Sequence, residues 1–144
     1  MDPRGGGQGR LVTLGSHTGF VSCLLVAGRQ IITGSFDGFL RGWWVDGIKA
    51  VTIGRHLGPV HGLTLDPATL TLFSGSSDCT LQAWNMISAG TGQGQRIAQT
   101  FLCGVQACEC FPGTDIVACG LQDGCVALVN VRSGSVVREL LGHT

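Results

Sequence analysis

The sequence predicts an all-β chain built from about three antiparallel four-stranded units in tandem, and three observations predict it. The first is a segment that recurs in register: Thr33-Gly34-Ser35-Phe36-Asp37-Gly38-Phe39-Leu40-Arg41-Gly42-Trp43-Trp44, Ser74-Gly75-Ser76-Ser77-Asp78-Cys79-Thr80-Leu81-Gln82-Ala83-Trp84-Asn85, and Cys119-Gly120-Leu121-Gln122-Asp123-Gly124-Cys125-Val126-Ala127-Leu128-Val129-Asn130. The second is the placement of 24 glycines, which follow no triplet period and recur at the boundaries of short apolar runs, where tight turns belong. The third is composition: 44% hydrophobic and 12% charged residues supply enough apolar surface for a core and exclude a disordered chain.

Asp37, Asp78 and Asp123 stand 41 and then 45 residues apart, a spacing that fits the roughly 40–45-residue period of a four-stranded propeller blade. Residues 1–9 form a flexible N-terminal tail, and residues 10–14 read as an orphan outer strand. The first blade spans 15–53, with strands at 20–26 and 30–34, a third ending on Trp43, and an outer one at 49–53. The second spans 54–102, with strands at 60–65 and 70–75, one ending on Trp84, and an outer strand at 96–102. Residues 88–95, rich in Gly and Ser/Thr, are a flexible insertion. The third blade, 103–141, repeats the plan at 105–111 and 115–120, with a strand ending on Val129 and an outer strand at 136–140. Residues 142–144 open a further blade.

The blade starts Gly15-Ser16-His17, Gly54-Arg55-His56 and Gly142-His143, and the blade ends Trp43 and Trp84-Asn85, resemble the WD-repeat family, over residues 10–144. The resemblance implies a partial β-propeller of WD-type blades. It implies in each blade a network of a loop His, a hydroxyl on the second strand, the turn Asp and a Trp. The sets are His17, Thr33, Asp37 and Trp43, then His56, Ser74, Asp78 and Trp84. The third blade keeps Asp123 but departs from the pattern: no His stands near Leu102-Cys103-Gly104, Cys119 replaces the hydroxyl, and Val129 replaces Trp. Apolar packing is expected to hold it. Trp44 takes the place where the family usually has Asp.

A propeller closes at roughly four to eight blades, so three leave an open arc with two bare blade faces. Two readings follow: a fragment or shortened isoform of a longer WD-repeat protein, which is favoured, or a ring completed by self-association.

Chemistry finds little support. Five cysteines crowd the third repeat, but Cys108-Glu109-Cys110 has one intervening residue where structural zinc pairs have two to four, so no metal is expected. The cysteines read as reduced thiols, since residues 1–7 lack the apolar core of a secretory signal. His17, His56 and His143 hold blade-start positions, leaving His61 as a partly buried structural residue instead of the base of a thiol nucleophile. The turn aspartates recur once per blade and cannot converge on one substrate. Gly5-Gly6-Gly7-Gln8-Gly9 and Gly90-Thr91-Gly92-Gln93-Gly94 match no phosphate-binding loop. No enzyme activity and no cofactor are expected.

Formal net charge is zero, with the nine basic residues scattered, so neither nucleic acid nor membrane is an expected partner. The expectation is a protein-binding scaffold, cytoplasmic, with the nucleus left open. By the resemblance, its binding face comprises Phe36, Ser77 and Gln122, each just before a turn Asp, with Phe20, Leu57 and Pro59 beside them. The alternative is a set of purely structural blades within a larger propeller.

Overall fold

The computed structural model describes residues 13–47, 50–86 and 96–141, the side chain of residue 141 excepted. Twelve strands follow in chain order: β1 Val21–Ala27, β2 Gln30–Ser35, β3 Phe39–Trp44, β4 Ala50–Arg55, β5 Val60–Asp66, β6 Thr71–Ser76, β7 Thr80–Asn85, β8 Arg96–Thr100, β9 Val105–Cys110, β10 Ile116–Leu121, β11 Cys125–Asn130 and β12 Ser135–Leu141. They form three four-stranded antiparallel sheets, β1 to β4, β5 to β8 and β9 to β12, each ordered as in the sequence. The fold is the all-β, partial propeller that the repeat predicts. Among the described residues no helix is long and apolar enough to cross a membrane.

Residues 10–12 of the expected outer strand, the insertion at 88–95 and the further blade start at 142–144 lie outside the described residues. Thr13 and Leu14 precede β1 without strand pairing. The outer strand of the second blade stops at Thr100, which places Phe101 and Leu102 in the loop ahead of β9.

Blade packs on blade through the innermost strands. Val60 at the start of β5 meets Gly34 of β2, and Val105 at the start of β9 meets Gly75 of β6. Both valines are fully buried. A side chain on either glycine would occupy the valine's place, since an added Cβ would lie 2.6 Å and 2.4 Å from the respective valine Cγ1. One core gathers Ile32, Leu40, Ile53, Val60, Leu72 and Trp84 between the first two blades. A second joins Phe73 and Leu81 to Val105, Cys108, Cys110, Cys119 and Val129 between the second and third. Cys108 and Cys110 alternate along β9 with buried side chains, as small core residues on one face of a strand do.

The innermost strand of every blade breaks its ladder at the same place. Ser22, His61 and Gln106 are skipped in the pairing of β1 with β2, β5 with β6, and β9 with β10. Each is a β-bulge, which re-aims a side chain out of the pleat.

Candidate functional site

Each turn aspartate sits at the middle of the three-residue connection between the second and third strands and caps it. Asp37 Oδ1 accepts from the Phe39 amide at 2.8 Å, Asp78 Oδ1 from the Thr80 amide at 2.9 Å, and Asp123 Oδ1 from the Cys125 amide at 3.0 Å. The following residue has positive φ in all three turns: Gly38 (87°), Cys79 (75°) and Gly124 (91°).

In the first two blades the other carboxylate oxygen holds a histidine. His17 Nδ1 lies 3.0 Å from Asp37 Oδ2, its Nε2 lies 2.7 Å from Thr33 Oγ1, and Trp43 Nε1 donates to that same hydroxyl at 2.8 Å. His56 repeats the arrangement: Asp78 Oδ2 at 2.9 Å, Ser74 Oγ at 2.6 Å, and Trp84 Nε1 donating to Ser74 Oγ at 2.7 Å. The proton order follows from the donors available. The indole N–H fills one lone pair of the hydroxyl, the hydroxyl proton goes to Nε2, and the Nδ1 proton goes to the carboxylate. Burial lowers the His56 pKa below its ordinary 6.5 against the opposing pull of Asp78, which fits a neutral ring in this chain. Burial raises the Asp78 carboxyl, but the Thr80 hydroxyl, His56 and the Leu57 amide outweigh it and hold it below the usual carboxylate value.

The glycine two residues before each histidine has a steric reason. A Cβ on Gly15 would come 2.2 Å from the Trp43 ring, and one on Gly54 would come 2.1 Å from that of Trp84. The indole needs bare backbone to pack against.

Hydroxyl, imidazole and carboxylate in series have the connectivity of an activated nucleophile. Ser74 is fully buried beneath Trp84, with its hydroxyl between the indole and His56. No substrate atom can reach it. Among the described residues no group of three His, Cys, Asp or Glu side chains is placed to hold a metal ion.

In the third blade Phe101 stands in the histidine's place. Its amide donates to the Cys79 carbonyl at 2.8 Å, as the His56 amide does to Gly38 at 2.8 Å. Phe101 packs against the core that holds buried Cys119 and Val129. Every polar member of the network except Asp123 is thus replaced by an apolar one. Sequence reading missed Phe101 because it lay within a strand expected to run to residue 102.

The loops between strands form a continuous layer along one face of the arc. The residue before each turn Asp is pinned to the preceding loop by its amide: Phe36 to the Phe20 carbonyl at 2.9 Å, Ser77 to Pro59 at 3.0 Å, Gln122 to Gly104 at 2.9 Å. The Phe20 and Phe36 rings meet edge to face at 5.9 Å. Phe36 meets His61 at 5.4 Å, and His61 Nε2 reaches Ser77 Oγ at 2.6 Å. Gln122 Oε1 accepts from the Gly104 amide at 3.0 Å. The ring contacts thus bridge the first two blades, and Gly104 of the third packs on Ser77 of the second, where an added Cβ would lie 3.2 Å from the Ser77 Cα. Phe20 is 79% and Leu57 87% exposed, Phe36 is about half exposed, and Pro59 is half-buried. Leu102 is fully exposed; it takes the position that Leu57 takes one blade earlier, a repeat signal that an alignment through the loops would have shown.

Strand count, blade packing and the His–Asp–hydroxyl–Trp network define a protein built of repeated propeller blades. The WD domain, G-beta repeat family matches residues 9–43 and 48–85, and the chain belongs to that family. It is 28% identical over 117 residues to the F-box-like/WD repeat-containing protein TBL1X of Mus musculus, covering 81% of this chain and 21% of the relative. It is 35% identical over 132 residues to Mitochondrial division protein 1 of Aspergillus oryzae, covering 92% of this chain and 17% of the relative. With the Pyricularia oryzae protein of the same name, identity is 31% over 147 residues, covering 100% and 19%. The chain thus spans about a fifth of the length of these curated relatives.

Proposed function

We propose that the chain is a non-catalytic protein-interaction module whose binding face is the loop layer around Phe20 and Phe36, completed by Leu57, Pro59, Ser77 and Gln122. One observation carries this reading: large apolar side chains stand in solvent on loops whose backbone is already fixed. Rigid aromatic anchors contribute contact area at little ordering cost. Leu102 extends the surface onto the third blade. Proteins or peptides with apolar anchor residues fit such a surface, whereas zero net charge with scattered basic residues gives nucleic acid and lipid headgroups nothing to hold. No enzyme activity or cofactor belongs to this proposal, and a cytoplasmic place does, with the nucleus left open.

A second reading, that these blades hold up a larger propeller whose binding surface lies in other sequence, draws support from the small share of each relative that the chain covers. Phe20→Ser and Phe36→Ser separate the two. If cell proteins retained by the immobilised chain are lost from both variants while the thermal melt is unchanged, the face binds. If the melt falls and the retained set does not change, the rings serve packing.

A further inference from the structure

The seam between the second and third blades opens into a cavity of about 390 Å3, a size that suits a small ligand. It lies at the strand ends opposite the loop layer: β5 finishes there at Asp66, β8 begins there at Arg96, and the residues just before β10 and just after β11 close the other side. The two walls belong to blades that pack on each other within the chain. Its apolar lining comes from Phe73 and Val131, both buried, and its charged lining from Asp66 and Arg96 of the second blade and Asp115 and Arg132 of the third.

These charges divide into two kinds. Arg132 Nε lies 3.2 Å from Asp115 Oδ2, so the exposed pair on the third blade neutralises itself. Asp66 and Arg96 have no ion-pair partner among the described residues. Asp66 is only 4% exposed. A carboxylate has room for about four hydrogen bonds, yet among the described residues Asp66 accepts just one, through Oδ1 from the Ala68 amide at 3.0 Å. Burying a carboxylate so short of partners is costly, and the blade plan does not require it. Ala27 pairs with Gln30 in the first blade as Asp66 pairs with Thr71 in the second, and Phe111 holds the same register in the third, its amide donating to the Ile116 carbonyl at 3.0 Å. Arg96 Nη1 donates to the Val131 carbonyl at 2.8 Å, which anchors the guanidinium across the seam and leaves its other N–H groups without protein partners among the described residues.

We propose that this cavity binds a free α-amino acid with an apolar side chain. The cavity carries one unpaired charge of each sign, so a simple cation or anion would leave one of them without a partner. A zwitterion satisfies both: its ammonium donates to Asp66, its carboxylate accepts from Arg96, and its side chain covers Phe73 and Val131. Charge-assisted hydrogen bonds are the strong and short ones, and here both protein groups are already tethered, one to the Ala68 amide and the other to the Val131 carbonyl. The site stands at the far ends of the strands from Phe20 and Phe36, so it is independent of the binding face proposed above.

Isothermal titration calorimetry of the purified chain with leucine, N-acetylleucine and leucine amide tests this. Leucine is expected to bind saturably. N-acetylleucine lacks the ammonium and leucine amide lacks the carboxylate, so each is expected to bind at least about tenfold more weakly, as the loss of one charged hydrogen-bond partner gives. Asp66→Asn keeps an oxygen for the Ala68 amide and removes the charge. It is expected to abolish the preference for leucine over N-acetylleucine while keeping the preference over the amide, and Arg96→Gln is expected to do the reverse. No saturable binding of leucine, equal binding of the three compounds, or preferences that both variants leave unchanged would overturn the proposal. Leucine amide binding as tightly as leucine would also overturn it, since that result means a cation site at Asp66 alone.

Discussion

At the scale of single residues, the buried relay of the second blade has no slack. Ser74 serves both His56 and Trp84, so Ser74→Ala strands two buried polar groups and is expected to cost about 1–3 kcal/mol, read as a lower midpoint in urea unfolding. The same relay sets a pH response. Because the folded pKa of His56 lies below the unfolded 6.5, the unfolded chain takes up a proton first. The contribution of His56 is therefore complete above about pH 6.5 and is lost as pH falls towards its folded value. Asp37 and Asp78, both held below 3.8, add a second loss of the same sign at lower pH. The melting temperature should be flat around neutrality and fall in two steps on acidification, with the first step missing in His56→Gln. Much of this was legible in the sequence, since His56, Ser74, Asp78 and Trp84 each occupy a recognisable repeat position. Phe101 was not, because an apolar residue at a strand end looks the same whether it finishes the strand or fills a histidine's place.

At the scale of the element, the turns and the blade starts carry opposite demands on backbone freedom. Cys79 holds a φ of 75° where the equivalent turns use glycine, a conformation that costs an L side chain about 1–2 kcal/mol. Cys79→Gly is therefore expected to stabilise the second blade by up to about 1 kcal/mol after the extra chain entropy of glycine, measurable as a higher melting temperature. Gly54 has the reverse constraint. Gly54→Ala drives a methyl into the Trp84 ring and is expected to cost about 1–3 kcal/mol, as overpacking does, with a changed indole fluorescence. Strand identities were readable from alternation and from turn residues. The end of β8 was not, because the apolar run continues through Phe101 and Leu102 while the backbone has already left the ladder.

At the scale of the whole molecule, the cores lie between blades instead of within them, so stability is shared by neighbours. The cysteines report on this. Burial pushes the Cys119 thiol up to about 12 and that of Cys108 well above its ordinary value, whereas Cys79, Cys103 and Cys125 are partly exposed. Iodoacetamide should modify Cys79 and Cys103 quickly in the native chain, Cys125 more slowly because desolvation and the Asp123 carboxylate raise its thiol, and Cys108 and Cys119 only at the rate of unfolding, as peptide masses over a time course would show. The repeat period gave away the architecture and the expectation of two bare blade faces, but which side chains of β1 stand exposed needed coordinates, since exposure there depends on which blade lies beside the strand. The bulge shared by the three innermost strands has a consequence for change. Ser, His and Gln occupy one slot at positions 22, 61 and 106, outside the ladder that fixes each blade. The repeat thus leaves one side chain per blade free to differ in kind, and each blade uses it differently: Ser22 reaches the Gly34 carbonyl and, across the first seam, that of Val60, whereas His61 reaches the Ser77 hydroxyl in its own blade.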